Sequence, residues 1–134
     1  MRDSSPRKTG KVLIVDDDPG TLELMQWVLQ VDDRITVLTA SDGEAGLSLS
    51  RQEQPDLILL DVVLPNRSGY AVCSALKHDP ATKHAMVILL SAMGSHVRYE
   101  QWTKAGADAY VTKPFSPKEM LALVRHELRL PVAA

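Results

Sequence analysis

Five short aliphatic runs alternate along this chain with five segments of helical length. The runs read KVLIVD, RITVLTA, PDLILLD, AMVILLS and DAYVT, and the helical segments span roughly residues 18–31, 42–53, 68–78, 95–105 and 116–129. The runs are mostly apolar rather than strictly alternating, which is typical of strands that are covered on both faces. The pattern therefore predicts an α/β fold, a three-layer sandwich in which five parallel strands form a doubly wound sheet between two layers of helices.

Polar residues and glycine mark where several of these helices begin or end. Asp18 directly before Pro19 is the expected N-cap of the first helix, because an aspartate side chain accepts a hydrogen bond from the free amides of the first turn. Ser41 and Glu44 have the spacing of a capping box and predict the start of the second helix. Gly106 is placed to end the fourth helix.

Length and composition predict one domain of ordinary globular type. We expect a flexible N-terminal tail over residues 1–10, the domain over 11–130 and a short C-terminal tail over 131–134. The net charge of -2 and the lack of a basic stripe argue against nucleic acid, and against a membrane, as a direct partner. The sequence shows no signal-peptide pattern, and Cys73 is its only cysteine, so we expect a cytoplasmic protein.

Polar residues also stand where four of the five predicted strands end. Asp16 and Asp17 follow the first aliphatic run, Asp61 ends the third, Ser91 ends the fourth and Lys113 follows the fifth. In an open parallel sheet, ligands bind at the carboxyl ends of the strands, near the point where strand order reverses. If the first, third, fourth and fifth strands are neighbours, three carboxylates, one hydroxyl and one ammonium group face one small region.

This set of groups predicts a metal-assisted phosphoryl-transfer site. Three close carboxylates repel one another, and a divalent cation that prefers oxygen ligands, Mg²⁺ (or Mn²⁺), removes that cost. Asp61 stands alone at its strand end and is the best candidate nucleophile for forming an acyl phosphate. Asp16 and Asp17 then serve as metal ligands, while Lys113 and Ser91 offer positive charge and a hydrogen bond to the phosphoryl oxygens.

Four motifs together resemble those of a response-regulator receiver domain of two-component signalling, of the chemotaxis-receiver type. They read VLIVDDDPG, PDLILLDVVLPNRSGY, VILLSA and AGADAYVTKPFS, and they stand in the family's order over about residues 10 to 130. The resemblance implies a flavodoxin-like (βα)5 fold with strand order 2-1-3-4-5. It also implies a sensor histidine kinase or a histidine phosphotransfer protein as the partner that donates the phosphoryl group.

The resemblance assigns a role to each polar residue of the set. It makes Asp61 the phosphoacceptor, Lys113 the lysine that pairs with the phosphoryl group, and Ser91 the hydroxyl that turns toward it. The implied ligands of the Mg²⁺ ion are Asp16, Asp17, Asp61 and the backbone carbonyl oxygen of Val63.

The resemblance further implies a conformational switch and a partner face. Tyr110 matches the aromatic ring that swings inward when the Ser91 hydroxyl moves. The change reaches the face formed by the fourth helix, the fifth strand and the fifth helix (α4–β5–α5), which receivers use for partners or for a homodimer. Tyr99, Trp102 and Tyr110 are the aromatic residues of that face, and whether the first two pack inward or stay exposed is open. Pro114 matches a position whose peptide bond is commonly cis.

Two positions near the site depart from the polar residues that many family members carry there. Val63 stands two positions after the phosphoacceptor, and Met93 stands two positions after the switch hydroxyl. Neither side chain can orient an attacking water molecule, so we expect the phosphorylated protein to lose its phosphoryl group slowly.

The predicted function is a phosphorylation-dependent signalling switch that assists its own modification and turns over no external substrate. One alternative is a phosphatase of the haloacid-dehalogenase type, whose Asp-x-Asp start resembles Asp16 and Asp18, although Thr21 comes one residue too late for that motif. The other is a degenerate receiver that acts only as a binding module. Phosphorylation on Asp61, on Asp16 or on neither distinguishes the three.

Overall fold

The structure is a computed structural model that describes residues 6–92, 99–113 and 115–131, with the backbone alone for residues 99–101. Within these ranges five strands alternate with five helices, and every helix is too short or too polar to cross a lipid bilayer. The strands are β1 (Gly10–Val15), β2 (Ile35–Ala40), β3 (Leu57–Asp61), β4 (Met86–Ala92) and β5 (Ala109–Lys113). The helices are α1 (Pro19–Leu29), α2 (Gly43–Glu53), α3 (Gly69–His78), α4 (Tyr99–Ala105) and α5 (Pro117–Glu127).

The five strands form one parallel sheet in the order β2-β1-β3-β4-β5. The predicted α/β fold with strand order 2-1-3-4-5 is therefore confirmed. From β1 the chain moves to one edge of the sheet at β2, and it then crosses back to build the other half from β3 to β5. Strand order reverses between β1 and β3, so the crevice for a ligand opens at the carboxyl ends of these two strands.

Successive residues of the central strands point to opposite faces of the sheet, which divides the core in two. The first core cluster lies under α1 and α5 and comprises Val12, Ile14, Met25, Leu29, Ile35, Leu57, Leu59, Ile88, Leu90, Met120, Val124, Leu128 and Leu130. The second core cluster lies under α2, α3 and α4 and comprises Leu13, Val15, Ala40, Leu47, Ile58, Leu60, Val72, Cys73, Leu76, Ala85, Val87, Leu89 and Ala105.

Two of the predicted helix boundaries are confirmed and one is wrong. Asp18 caps α1 with its side chain, and Gly106 follows α4 with a φ of 84°, a left-handed conformation that glycine adopts without strain. Ser41, the first residue of the predicted capping box, is not the N-cap of α2. Asp42 takes that position, because its carboxylate accepts a hydrogen bond from an amide of the first turn at 2.8 Å.

Both ends of the described chain pack against the body of the domain. The strand β1 begins at Gly10, inside the segment predicted as a tail, and the Arg7 amide donates a hydrogen bond of 3.0 Å to the Arg129 carbonyl. At the other end, the Arg34 guanidinium donates to the Pro131 carbonyl at 2.7 Å.

An ion-pair cluster of Asp32, Arg34 and Arg125, here called the Asp32 clamp, ties the loop after α1 to α5. The Asp32 side chain is only 4% exposed, and it accepts hydrogen bonds from Arg34 Nε and Nη2 at 2.9 and 2.7 Å and from Arg125 Nε at 2.9 Å. These bonds, those of Arg34 above all, hold the pKa of the Asp32 carboxyl well below its usual range. The Asp32 clamp lies at the edge of the sheet that carries the amino ends of the strands.

Candidate functional site

The carboxyl ends of β1, β3 and β5 bring the predicted charged residues together. Asp16 directly follows β1, and its amide continues the strand pairing by donating to the Ala40 carbonyl at 3.1 Å. Asp61 is the last residue of β3, and Lys113 is the last residue of β5. Because the strands are parallel, all three side chains start from the same edge of the sheet.

The Lys113 ammonium group bridges two of the carboxylates. Its Nζ lies 2.9 Å from Asp16 Oδ2 and 2.8 Å from Asp61 Oδ2. The remaining oxygen of each carboxylate accepts a hydrogen bond from a backbone amide two residues further on, of Asp18 and of Val63, both at 2.9 Å. Each carboxylate is thus held by one cation and one loop amide.

Burial and charge set the protonation of this cluster. Asp16 is 1% exposed and Asp61 is half-buried. Burial raises the pKa of Asp61 and the Asp16 charge adds to that rise, while hydrogen bonding to Lys113 opposes it. Burial alone would lower the pKa of Lys113, but its bonds to Asp61 and Asp16 outweigh burial and raise that pKa. The two carboxylates therefore favour the charged form of Lys113, whereas burial makes the charged form of Asp61 less favourable.

The acidic residues at this edge fit a divalent cation. Asp16, Asp17 and Asp61 each offer a carboxylate oxygen, and these oxygens all lie within 4.8 Å of one another. Three carboxylates against one ammonium group leave a net negative charge, and an oxygen-only donor set is what Mg²⁺ prefers. The exposed Asp17 leaves the cluster open to solvent on one side, which suits an ion that keeps several waters.

Gly69 fixes the loop that follows Asp61. Its amide donates to the Val62 carbonyl at 2.8 Å, and a Cβ atom at this position would overlap the Asp61 carbonyl oxygen. Only glycine allows the start of α3 to approach the end of β3 this closely. The position of the Asp61 backbone therefore depends on a residue eight positions away that carries no functional group.

The predicted switch residues lie at the same half of the sheet but outside the hydrogen-bonded cluster. Ser91 is 3% exposed near the end of β4, with its Oγ 3.4 Å from the Ala92 carbonyl oxygen. Tyr110 lies in β5 and is 41% exposed, and its ring centroid is 5.6 Å from that of Trp102. Trp102 is partly buried and packs against the second core cluster. Its place in a partner face stays a prediction.

Three predicted features fall outside the described residues. They are the Met93 side chain, the Lys113–Pro114 peptide bond and the Tyr99 side chain.

One polar group near the switch has no counterpart in the sequence-based predictions. The Tyr70 hydroxyl, on α3, is enclosed and has no hydrogen-bond partner among the described residues. Position 70 directly follows Gly69 in an ordinary helical pattern, so the sequence carries no signal for an enclosed phenol.

Comparison with known proteins gives concordant matches. Residues 12–125 match the sequence model of the response regulator receiver domain. The chain is 43% identical over 119 residues to the DNA-binding dual master transcriptional regulator RpaA of Synechocystis, covering 89% of this chain and 49% of that protein. It is 39% identical over 119 residues to the DNA-binding response regulator MtrA of Mycolicibacterium smegmatis, covering 89% and 50%. The chain thus spans about half the length of these curated relatives.

Solved structures agree with these matches. A putative response regulator from Chloroflexus aurantiacus superposes with a TM-score of 0.80 at 34% identity, covering 90% of this chain and 98% of that one. The chemotaxis response regulator CheY4 of Vibrio cholerae superposes with a TM-score of 0.81 at 28% identity, covering 90% and 99%.

The names of the relatives correct one prediction. The charge of the chain argued against nucleic acid as a partner, yet two of the matched relatives are named as DNA-binding proteins. The expectation was wrong because a net charge of -2 describes only these 134 residues, whereas the chain matches only about half of each relative. Charge on this stretch carries no information about a DNA-binding part elsewhere in such a protein.

Proposed function

The chain belongs to the response regulator receiver domain family of two-component signalling, and on that premise we propose that Asp61 is its phosphoacceptor. In this proposal a histidine kinase or a histidine phosphotransfer protein donates the phosphoryl group in a Mg²⁺-dependent reaction. The domain assists this modification of itself and turns over no external substrate. We assign this function to the domain predicted over residues 11–130, extended at its start by Gly10 of β1, in a cytoplasmic protein.

The observation that carries the proposal is the Lys113 bridge between Asp16 and Asp61. Transfer needs a carboxylate oxygen that is free to attack and positive charge beside the oxygens of the incoming group. Lys113 already lies 2.8 Å from Asp61 Oδ2, so it can follow the charge from the carboxylate to the phosphoryl oxygens. An Asp61 oxygen attacks phosphorus, the new O–P bond forms, the P–N bond of the donor phosphohistidine breaks, and the imidazole nitrogen leaves with that electron pair.

Asp16, Asp17, Asp61 and the Val63 carbonyl are the residues that would hold the Mg²⁺ ion. When bound, the ion supplies positive charge that offsets the carboxylates and the phosphoryl oxygens. The two backbone amides that bind Asp16 and Asp61 keep these carboxylates from turning away, and Lys113 keeps them close together.

We assign the output of the site to Ser91 and Tyr110. A phosphoryl group on Asp61 offers new acceptor oxygens beside the end of β4, where Ser91 stands. Movement of the Ser91 hydroxyl toward them shifts the equilibrium between an outward and an inward Tyr110 ring, and so changes the α4–β5–α5 face. The 41% exposure of Tyr110 is consistent with the outward state.

The DNA-binding relatives favour a transcriptional output as a second part of the function. We propose that phosphorylation of this receiver controls DNA binding by the protein that contains it. A chimera that joins this chain to the unmatched half of the Mycolicibacterium smegmatis regulator tests the idea, with its affinity for target DNA measured with and without beryllofluoride and Mg²⁺. Equal affinity in both conditions, in a chimera whose receiver responds to beryllofluoride, would contradict it.

The central experiment is phosphorylation by acetyl phosphate with and without Mg²⁺, read by intact-protein mass and by peptide mapping. Wild type should be labelled only with Mg²⁺, Asp61→Asn should not be labelled, and the matched control Asp33→Asn, an exposed aspartate remote from the site, should behave as wild type. Equal labelling of Asp61→Asn and wild type would overturn the assignment. Labelling on Asp16 would favour the phosphatase alternative, and no labelling or beryllofluoride response would favour a degenerate binding module.

A further inference from the structure

Tyr70 is a partly buried residue of α3 with an enclosed hydroxyl group. Its side chain packs against the second core cluster, and its oxygen has no hydrogen-bond partner among the described residues. In the unfolded chain that hydroxyl bonds to water, so the folded conformation loses hydrogen bonds that it does not replace. A buried hydroxyl group without a hydrogen-bond partner needs an explanation. One explanation is a second conformation of the protein in which another side chain forms that hydrogen bond.

Tyr110 lies on the same face of the sheet as Tyr70. In the register of β4 and β5, Tyr110 is paired with Leu89, which belongs to the second core cluster. Paired residues of adjacent parallel strands point to the same face, so Tyr110 points toward the layer of α3 and α4. Trp102 of α4 packs against the same cluster and contacts the Tyr110 ring.

Electrostatics agrees that the two phenols are near each other. Burial is the main cause that raises the pKa of Tyr70, and charge on Tyr110 adds to that rise.

We propose that Tyr70 is a positioning residue of the switch, whose hydroxyl becomes hydrogen-bonded to the Tyr110 hydroxyl when the Tyr110 ring turns inward. The inference rests on the proposed function, because that function supplies the inward movement of Tyr110. With Tyr110 outward, the Tyr70 hydroxyl is unsatisfied and the resting state is destabilised. With Tyr110 inward, the two phenols satisfy each other.

This arrangement makes Tyr70 favour the active state from a position that touches neither the phosphoacceptor nor the metal ligands. Removing the hydroxyl stabilises the outward state and leaves the inward state without its bond. The equilibrium then moves toward rest, and an activating ligand must overcome a larger difference between the two states.

The test uses Tyr70→Phe, Tyr110→Phe and the double variant in a Trp27→Phe background. Trp27 is 73% exposed on α1, so its replacement leaves Trp102, beside Tyr110, as the only tryptophan reporting fluorescence. Each protein is titrated with beryllofluoride at fixed Mg²⁺, and its midpoint of thermal unfolding is measured without beryllofluoride. Tyr70→Phe should raise the resting midpoint and weaken beryllofluoride binding about tenfold, Tyr110→Phe should weaken binding by a similar factor, and the double variant should be no weaker than either single variant.

Three results would overturn the inference while the parent protein still responds to beryllofluoride. They are a lower resting midpoint for Tyr70→Phe, unchanged beryllofluoride binding by that variant, and multiplicative losses in the double variant. A role of Tyr70 in packing alone would give the first or the third. If the parent protein itself gives no response to beryllofluoride, the proposed function fails and the inference falls with it.

Discussion

Asp32 and Asp61 are both largely enclosed carboxylates that accept hydrogen bonds from basic side chains, but their surroundings differ in net charge. Asp32 faces two arginines, so its negative charge is more than balanced, and its pKa is held low. Asp61 shares one lysine with Asp16 and lies close to Asp17, so negative charge is in excess around it. Its pKa is raised, chiefly by burial, with a smaller contribution from the charge of Asp16. The Asp32 clamp lies at one edge of the sheet, and the Asp61 site lies at the other.

The difference shows how local charge balance separates a carboxylate that is fully paired from one that can still bind a cation. Two guanidinium groups with fixed fork geometry satisfy Asp32 and leave it nothing further to bind. One compact ammonium group leaves the Asp61 site short of positive charge, and a cation or a rearrangement can supply it. The same residue type thus stabilises the fold at one place and leaves room for a cation at another.

Replacing each of the two aspartates by asparagine should give the largest difference in the free energy of unfolding between the two regions. Asp32→Asn should lower the free energy of unfolding by about 3 kcal/mol, because it removes the charge that pairs with two partly buried arginines and replaces one acceptor oxygen with an NH2 donor. Asp61→Asn should leave stability unchanged or raise it slightly in metal-free buffer, because it removes one of three repelling charges. Urea unfolding followed by circular dichroism measures both. The contrast fails if the two variants lose stability equally.

The pH dependence of the same two variants should show opposite signs. The folded-state pKa of Asp32 is below its ordinary value of 3.8, so its stabilising contribution is complete above that value and disappears as the pH falls through the folded pKa. The folded-state pKa of Asp61 is above 3.8, so its destabilising contribution is absent at low pH and grows as the pH rises. We expect the loss caused by Asp32→Asn to shrink by about 1 kcal/mol between about pH 7 and about pH 3, with the rest disappearing only at lower pH.

In the same titration, any gain in the free energy of unfolding caused by Asp61→Asn should also shrink toward low pH. The curves of the two variants should therefore approach that of wild type from opposite sides. Unfolding in EDTA over this range is the measurement. Curves that run parallel to that of wild type would show that the two carboxylates titrate alike.

Magnesium should stabilise the site and leave the clamp unaffected. At about ten times its dissociation constant, a ligand specific to the folded state adds about 1.4 kcal/mol to the free energy of unfolding. Wild type and Asp32→Asn should both show this increment, measured as a rise in the melting temperature with MgCl₂ relative to NaCl of equal ionic strength. Asp17→Asn should show little of it. An increment that survives in Asp17→Asn and Asp61→Asn would place the ion elsewhere.

Two equally exposed valines allow the smallest test. Val31 stands just before Asp32 and Val63 stands two positions after Asp61, and both are 71% exposed. We expect Val63→Asn to shorten the lifetime of the phosphorylated protein about threefold, about 0.7 kcal/mol in activation free energy, because an amide can orient the attacking water. Val31→Asn is the matched control and should leave the lifetime unchanged. Loss of radiolabel after removal of the donor gives both rates, and equal rates for the two variants would show that the position near Asp61 is not special.

The parts of the fold and site that the sequence predicts are those encoded locally. An aliphatic run that stops at an aspartate marks both a strand and its carboxyl end, so Asp16, Asp61 and Lys113 could be assigned to one edge before their contacts were known. The alternation of runs and helices does not determine the order of the strands in the sheet. That order came from the resemblance of the four motifs to a known family.

The features that the sequence did not predict depend on contacts between distant positions or on competition between neighbours. Asp32 and Arg125 are 93 residues apart, and nothing in their spacing indicates that they meet. Ser41 and Asp42 are both good caps, and only the path of the chain into α2 decides between them. The enclosure of the Tyr70 hydroxyl depends on how α3, α4 and β5 pack together, and no local sequence pattern encodes that packing.

The hydrogen bond between the Arg7 amide and the Arg129 carbonyl has a consequence for how the domain can be connected to other polypeptides. It brings the two ends of the described chain together at the edge of the sheet opposite Asp61. A strand of five residues is about 17 Å long, so a neighbouring domain fused at either end would start roughly that far from Asp61. Such an architecture leaves the edge that carries Asp61 sterically accessible to a bulky partner, and it allows the domain to be inserted into a surface loop of a host protein.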